Sequence, residues 1–271
     1  MRAEFDLSGL GVSLSSESRS IVEGFASAWA PFSARASVKP TLLDVVATET
    51  SDDRLRSGPI PKETVCCLTP EGLEVVTRGA RAVVRPDGTC TVSVTSDTPS
   101  MRFYAIANAL LPAVAWRLPA LGGLVVHAAG LVVEGRAFIL LGGEAAGKTT
   151  WAEGGKAEGA GFLSDDVIAL RATERGVVAL SFPFRANHPA PLPPAGWPLA
   201  AVLLPKWGAS AAIETASALR AHAALEASVL YRDVLARDPA APRVLEAIAA
   251  VPALVLVFAA DGRSAPVLRA L

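Results

Sequence analysis

Apolar and polar positions recur at helical spacing from Ser16 to Trp29, where Ile21, Val22, Phe25 and Trp29 fall on one side. That pattern predicts a helix, preceded by a strand over Phe5 to Leu14. Residues 49–62 carry Ser51, Asp52, Asp53, Gly58, Pro59 and Pro61 and read as a loop. Two hairpins follow. Val65 to Leu68 and Leu73 to Val76 flank Thr69-Pro70-Glu71-Gly72, and Ala80 to Arg85 and Cys90 to Thr95 flank Pro86-Asp87-Gly88. Both junctions join a proline to a following glycine, which suits a tight reversal. Ser100 to Leu118 reads as a helix ended by Pro119. Its internal Pro112 removes a backbone donor at a cost of ~3 kcal/mol and predicts a kink or break.

The texture changes at Leu124. Leu124 to Val133 is β-rich, a turn follows at Glu134-Gly135-Arg136, and Ala137 to Leu141 is a short, wholly apolar strand. It runs into glycines and then into a stretch that can be helical. A buried strand, a glycine-rich turn and a helix in succession are the grammar of an α/β nucleotide site. Residues 182–198 are dense in proline (Pro183, Pro189, Pro191, Pro193, Pro194 and Pro198) and read as a loop over one face. Residues 211–250 are mostly helical by composition, and Ala253 to Ala259 is a last core strand before an Asp261-Gly262 turn. The expected architecture is therefore α/β. A small α+β region with β-hairpins covers 1–120, and a core of mixed β-sheet flanked by helices covers 121–271.

Composition narrows the partners. Hydrophobic residues make up 51% of the 271 and charged residues 19%, which excludes a mainly disordered chain. With 25 Lys and Arg against 26 Asp and Glu, there is no global positive field to hold a nucleic-acid backbone. The mean hydropathy of +0.40 invites a membrane reading. However, 105–121 contains Pro112, Arg117 and Pro119, and 121–141 contains His127, Glu134 and Arg136, so neither is a clean apolar span. Cys66, Cys67 and Cys90 form no C-x-x-C pair and are expected to be reduced thiols acting as small buried hydrophobes. The opening Met-Arg-Ala-Glu-Phe-Asp soon turns acidic, unlike a signal peptide. The expectation is a cytoplasmic protein.

The strongest chemical signal is Gly142-Gly143-Glu144-Ala145-Ala146-Gly147-Lys148-Thr149, which fits G-x-x-x-x-G-K-[ST] at every fixed position. Glycines let backbone N–H groups curl around phosphate oxygens, and the helix starting near Gly147 aims its positive end at the same anion. Lys148 would reach the outer phosphates, and the Thr149 hydroxyl could coordinate Mg²⁺. Thr150 follows at the next position of the helix. Downstream, Gly161-Phe162-Leu163-Ser164-Asp165-Asp166-Val167-Ile168 sets two carboxylates inside an apolar run. In a strand they point to opposite faces, and burying either is costly unless a cation meets it. A metal for one and an incoming hydroxyl for the other would account for them, as would a surface β-turn. His127 lies just before the loop strand, in Val-Val-His-Ala-Ala-Gly, where a core histidine and a functional one are both open readings. His188 and His222 have no constellation around them.

These three pieces, in this order, resemble the catalytic domain of the HPr kinase/phosphorylase family, whose P-loop core is similar to phosphoenolpyruvate carboxykinase. The likeness covers residues ~121–172. It implies that Lys148 binds the β- and γ-phosphates of ATP and Thr149 the Mg²⁺. It implies Asp166 as general base toward a Ser/Thr hydroxyl, Asp165 in metal or base positioning, and His127 as support near the γ-phosphate. Arg185 is a candidate for neutralising transition-state charge. The implied activity is an ATP-dependent kinase acting on a peptide or small protein, with self-association as in related kinases. A small-molecule kinase and a nucleotide-binding scaffold without turnover are the alternatives. The sequence departs from the family at Thr150, where HPr kinases carry Glu, and at Glu144 and Ala145, where related kinases tend to have Ser and Gly. The segment that closes over the partner protein in HPr kinases is also missing, so HPr itself is not the expected acceptor.

Overall fold

The chain divides between Leu121 and Gly122. In the computed structural model, Met1–Leu121 and Tyr231–Asp238 form one unit, and Gly122–Leu230 with Pro239–Leu271 form the other. The structure describes residues 1–52, 55, 64–95, 98–184 and 192–271. Both units combine a mixed sheet with helices.

The first unit is built on seven strands: β1 (Arg2–Asp6), β2 (Gly11–Ser16), β3 (Thr41–Glu49), β4 (Val65–Thr69), β5 (Gly72–Thr77), β6 (Ala80–Val84) and β7 (Thr89–Val94). Their order is β1-β2-β3-β7-β6-β5-β4, with β3 parallel to both neighbours and the other pairs antiparallel. Both expected hairpins are present. The single strand expected over Phe5 to Leu14 is instead β1 and β2 joined by a turn. Ser8 and Gly9 take positive φ there, and the Gly9 N–H donates to Asp6 Oδ1. The alternation that buries Phe5 and Leu7 restarts one residue out of phase at Leu10, Val12 and Leu14. Helix α1 (Arg19–Ala28) buries Ile21, Val22 and Phe25, and Trp29 caps it with Phe25 edge-on at 5.1 Å between ring centroids.

Helix α2 (Pro99–Arg117) runs unbroken through Pro112. The hydrogen bond lost there is offset by the burial of Ala109, Leu110, Leu111, Ala113 and Val114 around it. The cysteines also differ from expectation. All three are free thiols, but only Cys90 is buried, whereas Cys66 is half-buried and Cys67 exposed, because adjacent strand residues point to opposite faces. Burial pushes the Cys90 thiol up to about 12 and the Cys66 thiol up to about 11.

The second unit contains β8 (Gly123–Val133), β9 (Arg136–Leu141), β10 (Gly161–Ser164), β11 (Val167–Thr173), β12 (Gly176–Leu180), β13 (Gly196–Trp207), β14 (Ala212–Thr215) and β15 (Ala253–Phe258). Strands β9, β13 and β15 are parallel neighbours, and β14 adds antiparallel to β15. On its other side β9 pairs with β8, which pairs with β11, then β12, then back to β13. The pairings therefore close a circuit of five strands. The region 211–250, expected to be mostly helical, opens with β14. Helices α4 (Ala218–Ser228), α5 (Arg232–Leu235) and α6 (Ala241–Ala249) then follow. No helix among the described residues is long and apolar enough to cross a membrane.

Helix α3 (Lys148–Ala157) follows the glycine loop, and its seating explains two glycines. A β-carbon on Gly154 would run into the backbone of Asp261 and Gly262, and one on Gly155 into Leu131. Gly262, at φ 69°, in turn has the carbonyl of Thr150 against it. The helix and the turn at Ala259–Gly262 thus touch backbone to backbone. Two side chains lock the contact. Trp151 Nε1 donates to Ser264 Oγ at 2.7 Å, and Glu158 Oε2 accepts from the N–H groups of Ser264 and Ala265, both at 2.8 Å. The latter cap the short helix α7 (Ala265–Arg269). Helix propensity alone favours Gly154→Ala by about 1 kcal/mol. The packing predicts the opposite sign, a loss of about 1–3 kcal/mol, read as a lower midpoint in urea unfolding.

Candidate functional site

The loop begins where β9 ends. Ala128 pairs with Leu141, the last residue of β9, so His127 on β8 stands beside the start of the loop. A β-carbon on Gly142 would lie 2.6 Å from that of Ala146, so the turn closes tightly at its base. Ala145 (φ 59°) and Gly147 (φ 89°) are both left-handed. Such residues two apart turn successive N–H groups into one concavity, which is an anion-binding arrangement. Gly147 is also the N-cap of α3, so the positive end of that helix opens on the same concavity. Glu144 and Gly143 are exposed, which places the Glu144 carboxylate in solvent. Thr149 is exposed and Thr150 half-buried in the first turn of α3.

Lys148 is 8% exposed. Its Nζ donates to the carbonyls of Gly142 at 2.7 Å and Gly143 at 2.9 Å, so the side chain folds back along the loop. Burial lowers its pKa below the usual 10.5, and the charges of Asp166 and Glu144 oppose that shift. The carboxylate of Asp166, 18 positions along the chain, therefore acts on the ammonium of the loop lysine.

Asp165 and Asp166 do not sit in a strand, as expected, but in the bend between β10 and β11. The two strands lie along one side of β8. Ser164 pairs with Gly130 and Val167 with His127, so the register is the same on either side of the bend. The Ala128 N–H donates to the Asp166 carbonyl at 3.1 Å and keeps the bend attached. Ser164, 3% exposed, accepts from the N–H groups of Asp166 and Val167, both at 3.2 Å, and so shapes the bend from inside. Asp165 is buried, at 8% exposure, and Asp166 is half-buried.

His127 joins this pair. Its Nδ1 lies 2.9 Å from Asp166 Oδ1 and 2.9 Å from the Asp166 carbonyl. Both partners only accept, so Nδ1 carries the proton and Nε2 is left as the nitrogen able to accept one. The structure thus brings together His127, Lys148, Asp166 and the glycine loop. Arg185 lies outside the described residues, as do 186–191 of the proline-dense segment, and the end of that segment, expected to be loop, is the start of β13 at Gly196. Sequence reasoning passed over Ser164, whose only signal is a serine directly before the Asp165-Asp166 pair. It also passed over Trp207 and Phe258, whose aromatic edges lie 2.8 and 2.9 Å from where a Gly147 β-carbon would be.

No protein-family model matches the chain, and no curated protein matches it.

Two outcomes follow from the loop. Ala145 is exposed and left-handed, a conformation that strains any residue with a β-carbon. Ala145→Gly is expected to raise stability by about 0.5–1 kcal/mol in chemical denaturation, against the usual penalty for introducing glycine. The second concerns pH. A Lys148 whose folded-state pKa is lowered gives up its proton below the usual 10.5. Binding of inorganic tripolyphosphate, followed by calorimetry, should therefore weaken as pH rises at values where an ordinary lysine is still fully charged.

Proposed function

We propose that the second unit is an ATP-dependent phosphotransferase with an HPr-kinase-like, phosphoenolpyruvate-carboxykinase-like P-loop core. It would transfer the γ-phosphate to a Ser/Thr hydroxyl of a peptide or small protein. The observation that carries this reading is the His127–Asp166 pair beside the loop, with His127 Nδ1 2.9 Å from Asp166 Oδ1 and bonded to the Asp166 carbonyl. A phosphate cradle alone is a binding site. A cradle with a carboxylate held against an imidazole at its side also has a proton acceptor.

The residues would divide the work as follows. The loop N–H groups of 143–148 and the α3 N-terminus hold the phosphates, and Lys148 leaves its carbonyl partners to meet the outermost oxygens. Asp166 takes the acceptor's hydroxyl proton as that oxygen bonds to the γ-phosphorus and the bond to the β-bridging oxygen breaks, leaving ADP. His127, bonded through Nδ1 to the Asp166 carbonyl and 2.9 Å from Oδ1, would hold the bend that carries the carboxylate. Ser164 holds the bend that presents it. Positioning and charge compensation supply most of the rate in phosphoryl transfer, which is what a rigid cradle offers.

Magnesium fits the donors present. The exposed Thr149 hydroxyl and the buried Asp165 carboxylate would be its oxygen donors, since Mg²⁺ takes only one or two carboxylates beside substrate phosphates and water. Among the described residues no group of three or more His, Cys, Asp or Glu is placed to hold a metal by itself. Bound there, the ion would neutralise phosphate charge as the bond to the leaving oxygen breaks.

A nucleotide-binding scaffold without turnover is the second reading. The strained Ala145 and the Lys148 bonds to loop carbonyls favour it. One experiment separates the two. Radiolabelled phosphate is followed from ATP to a library of Ser/Thr peptides, with binding measured in parallel. Asp166→Asn should lower transfer at least about 100-fold, the least that general base catalysis contributes, and leave Mg-ATP affinity within a few-fold. Lys148→Ala should lose both. Transfer that persists in Asp166→Asn removes Asp166 as the base, and ATP binding with no transfer to any acceptor favours the scaffold.

A further inference from the structure

We infer that Trp207, backed by Phe258, is the stacking platform for the nucleotide base. The inference rests on the phosphate-loop reading and extends it to the other flank of the loop.

Strand order sets the argument. From β11 the neighbours run β8, β9, β13, β15. The glycine loop leaves the end of β9, in the middle of that row. His127 and Asp166 belong to the β8–β11 side, where the γ-phosphate would meet its acceptor. On the opposite side β13 and β15 end in Trp207 and Phe258, which are register partners. Ligands of parallel α/β sheets bind beyond the carboxyl ends of the strands, which is where both aromatics stand. A triphosphate with its terminal group toward Asp166 points its nucleoside away from β8, toward β13.

Trp207 is built as a surface. Its ring lies 4.9 Å from that of Phe258 at 46°, and Phe258 is fully buried while Trp207 is 51% exposed. The backbone after it is pinned. The Gly208 N–H donates to the Phe258 carbonyl at 3.1 Å, and a β-carbon on Gly208 would clash with Val257. Lys206 is tied to Glu214 at 2.7 Å. The Cζ2 edge of the indole packs against Gly147, where the cradle ends and the helix starts. A half-exposed indole fixed at that point leaves π surface within a nucleotide's length of the phosphate site. Every purine or pyrimidine has a face that can stack on it.

Calorimetry with two probes, Mg-ATP and Mg-tripolyphosphate, tests this. The second probe has the phosphates and no base. Trp207→Ala should weaken ATP by between about fivefold and 150-fold, the range that base–aromatic stacking supplies, and leave tripolyphosphate unchanged. Trp207→Phe should recover most of the loss. Trp207→Leu, which keeps an apolar contact on Phe258 without a π face, replaces the alanine variant if that one does not fold. Unchanged ATP affinity in Trp207→Ala, with Lys148→Ala losing it, overturns the platform and keeps the phosphate loop. Equal loss of both probes in Trp207→Ala also overturns it, since the indole would then act only through the shape of the loop. Wild type that binds neither probe, or Lys148→Ala that binds both normally, removes the phosphate loop and the platform with it.

Discussion

The backbone contact between helix α3 and the turn at Ala259–Gly262 sets the position of everything else in the second unit's site. The loop has few bonds of its own. Gly147 must cap a helix whose axis is fixed, Lys148 must start it, and the N–H groups between must face a common point. Gly154 and Gly262 let the two backbones meet with no side chain between them, and Trp151, Glu158 and Ser264 close the contact around its rim. The helix pays the entropic penalty of two internal glycines to sit that close. Close packing transmits position with little slack, so a site that depends on ångström placement is anchored by the least compressible kind of contact.

The carboxylates solve a different problem. A strand with two consecutive aspartates would point them to opposite faces of the sheet. The chain instead runs β10 and β11 along one side of β8, with a register shift between Phe162 and Ser164, and lets two residues, Asp165 and Asp166, form the bend between them. The cost is local, because Ser164 and the Ala128 N–H satisfy the backbone of the bend. The gain is that Asp166 turns back over His127 on the neighbouring strand. A bulge-like interruption beside a polar pair is a common way to re-aim a side chain in a sheet.

Much of the local order was legible. The two hairpins, helices α1 and α3, strands β8, β9 and β15, and the glycine loop all follow from periodicity and turn residues, because each is fixed by neighbours in sequence. The misreadings share a cause. The β1–β2 turn, with Leu7 and Leu10 buried on either side of Ser8-Gly9, looks like one apolar strand unless the phase change is noticed. Pro112 is tolerated because tertiary burial outweighs a lost hydrogen bond, which no local rule reports. Gly154 and Gly155 look like weak helix formers until the partner backbone is seen. The union of Tyr231–Asp238 with the N-terminal unit is set by the chain's long-range path alone. At the site, residue types and order could be read, but the His127–Asp166 contact, the role of Ser164 and the nearness of Trp207 to Gly147 arise from strand pairing across long separations.

The closed circuit of β8, β11, β12, β13 and β9 bears on how this unit meets other chains. Among the described residues the ring strands are paired on both sides over much of their length, and the sheet branches from the ring at β10 and β14. Each is four residues long, and the β10 edge also accepts the Leu192 N–H at the Phe162 carbonyl. Such short, partly covered edges are poor templates for strand addition. Strand addition from another copy is therefore disfavoured at these two edges, where edge-to-edge growth that seeds aggregates would otherwise start.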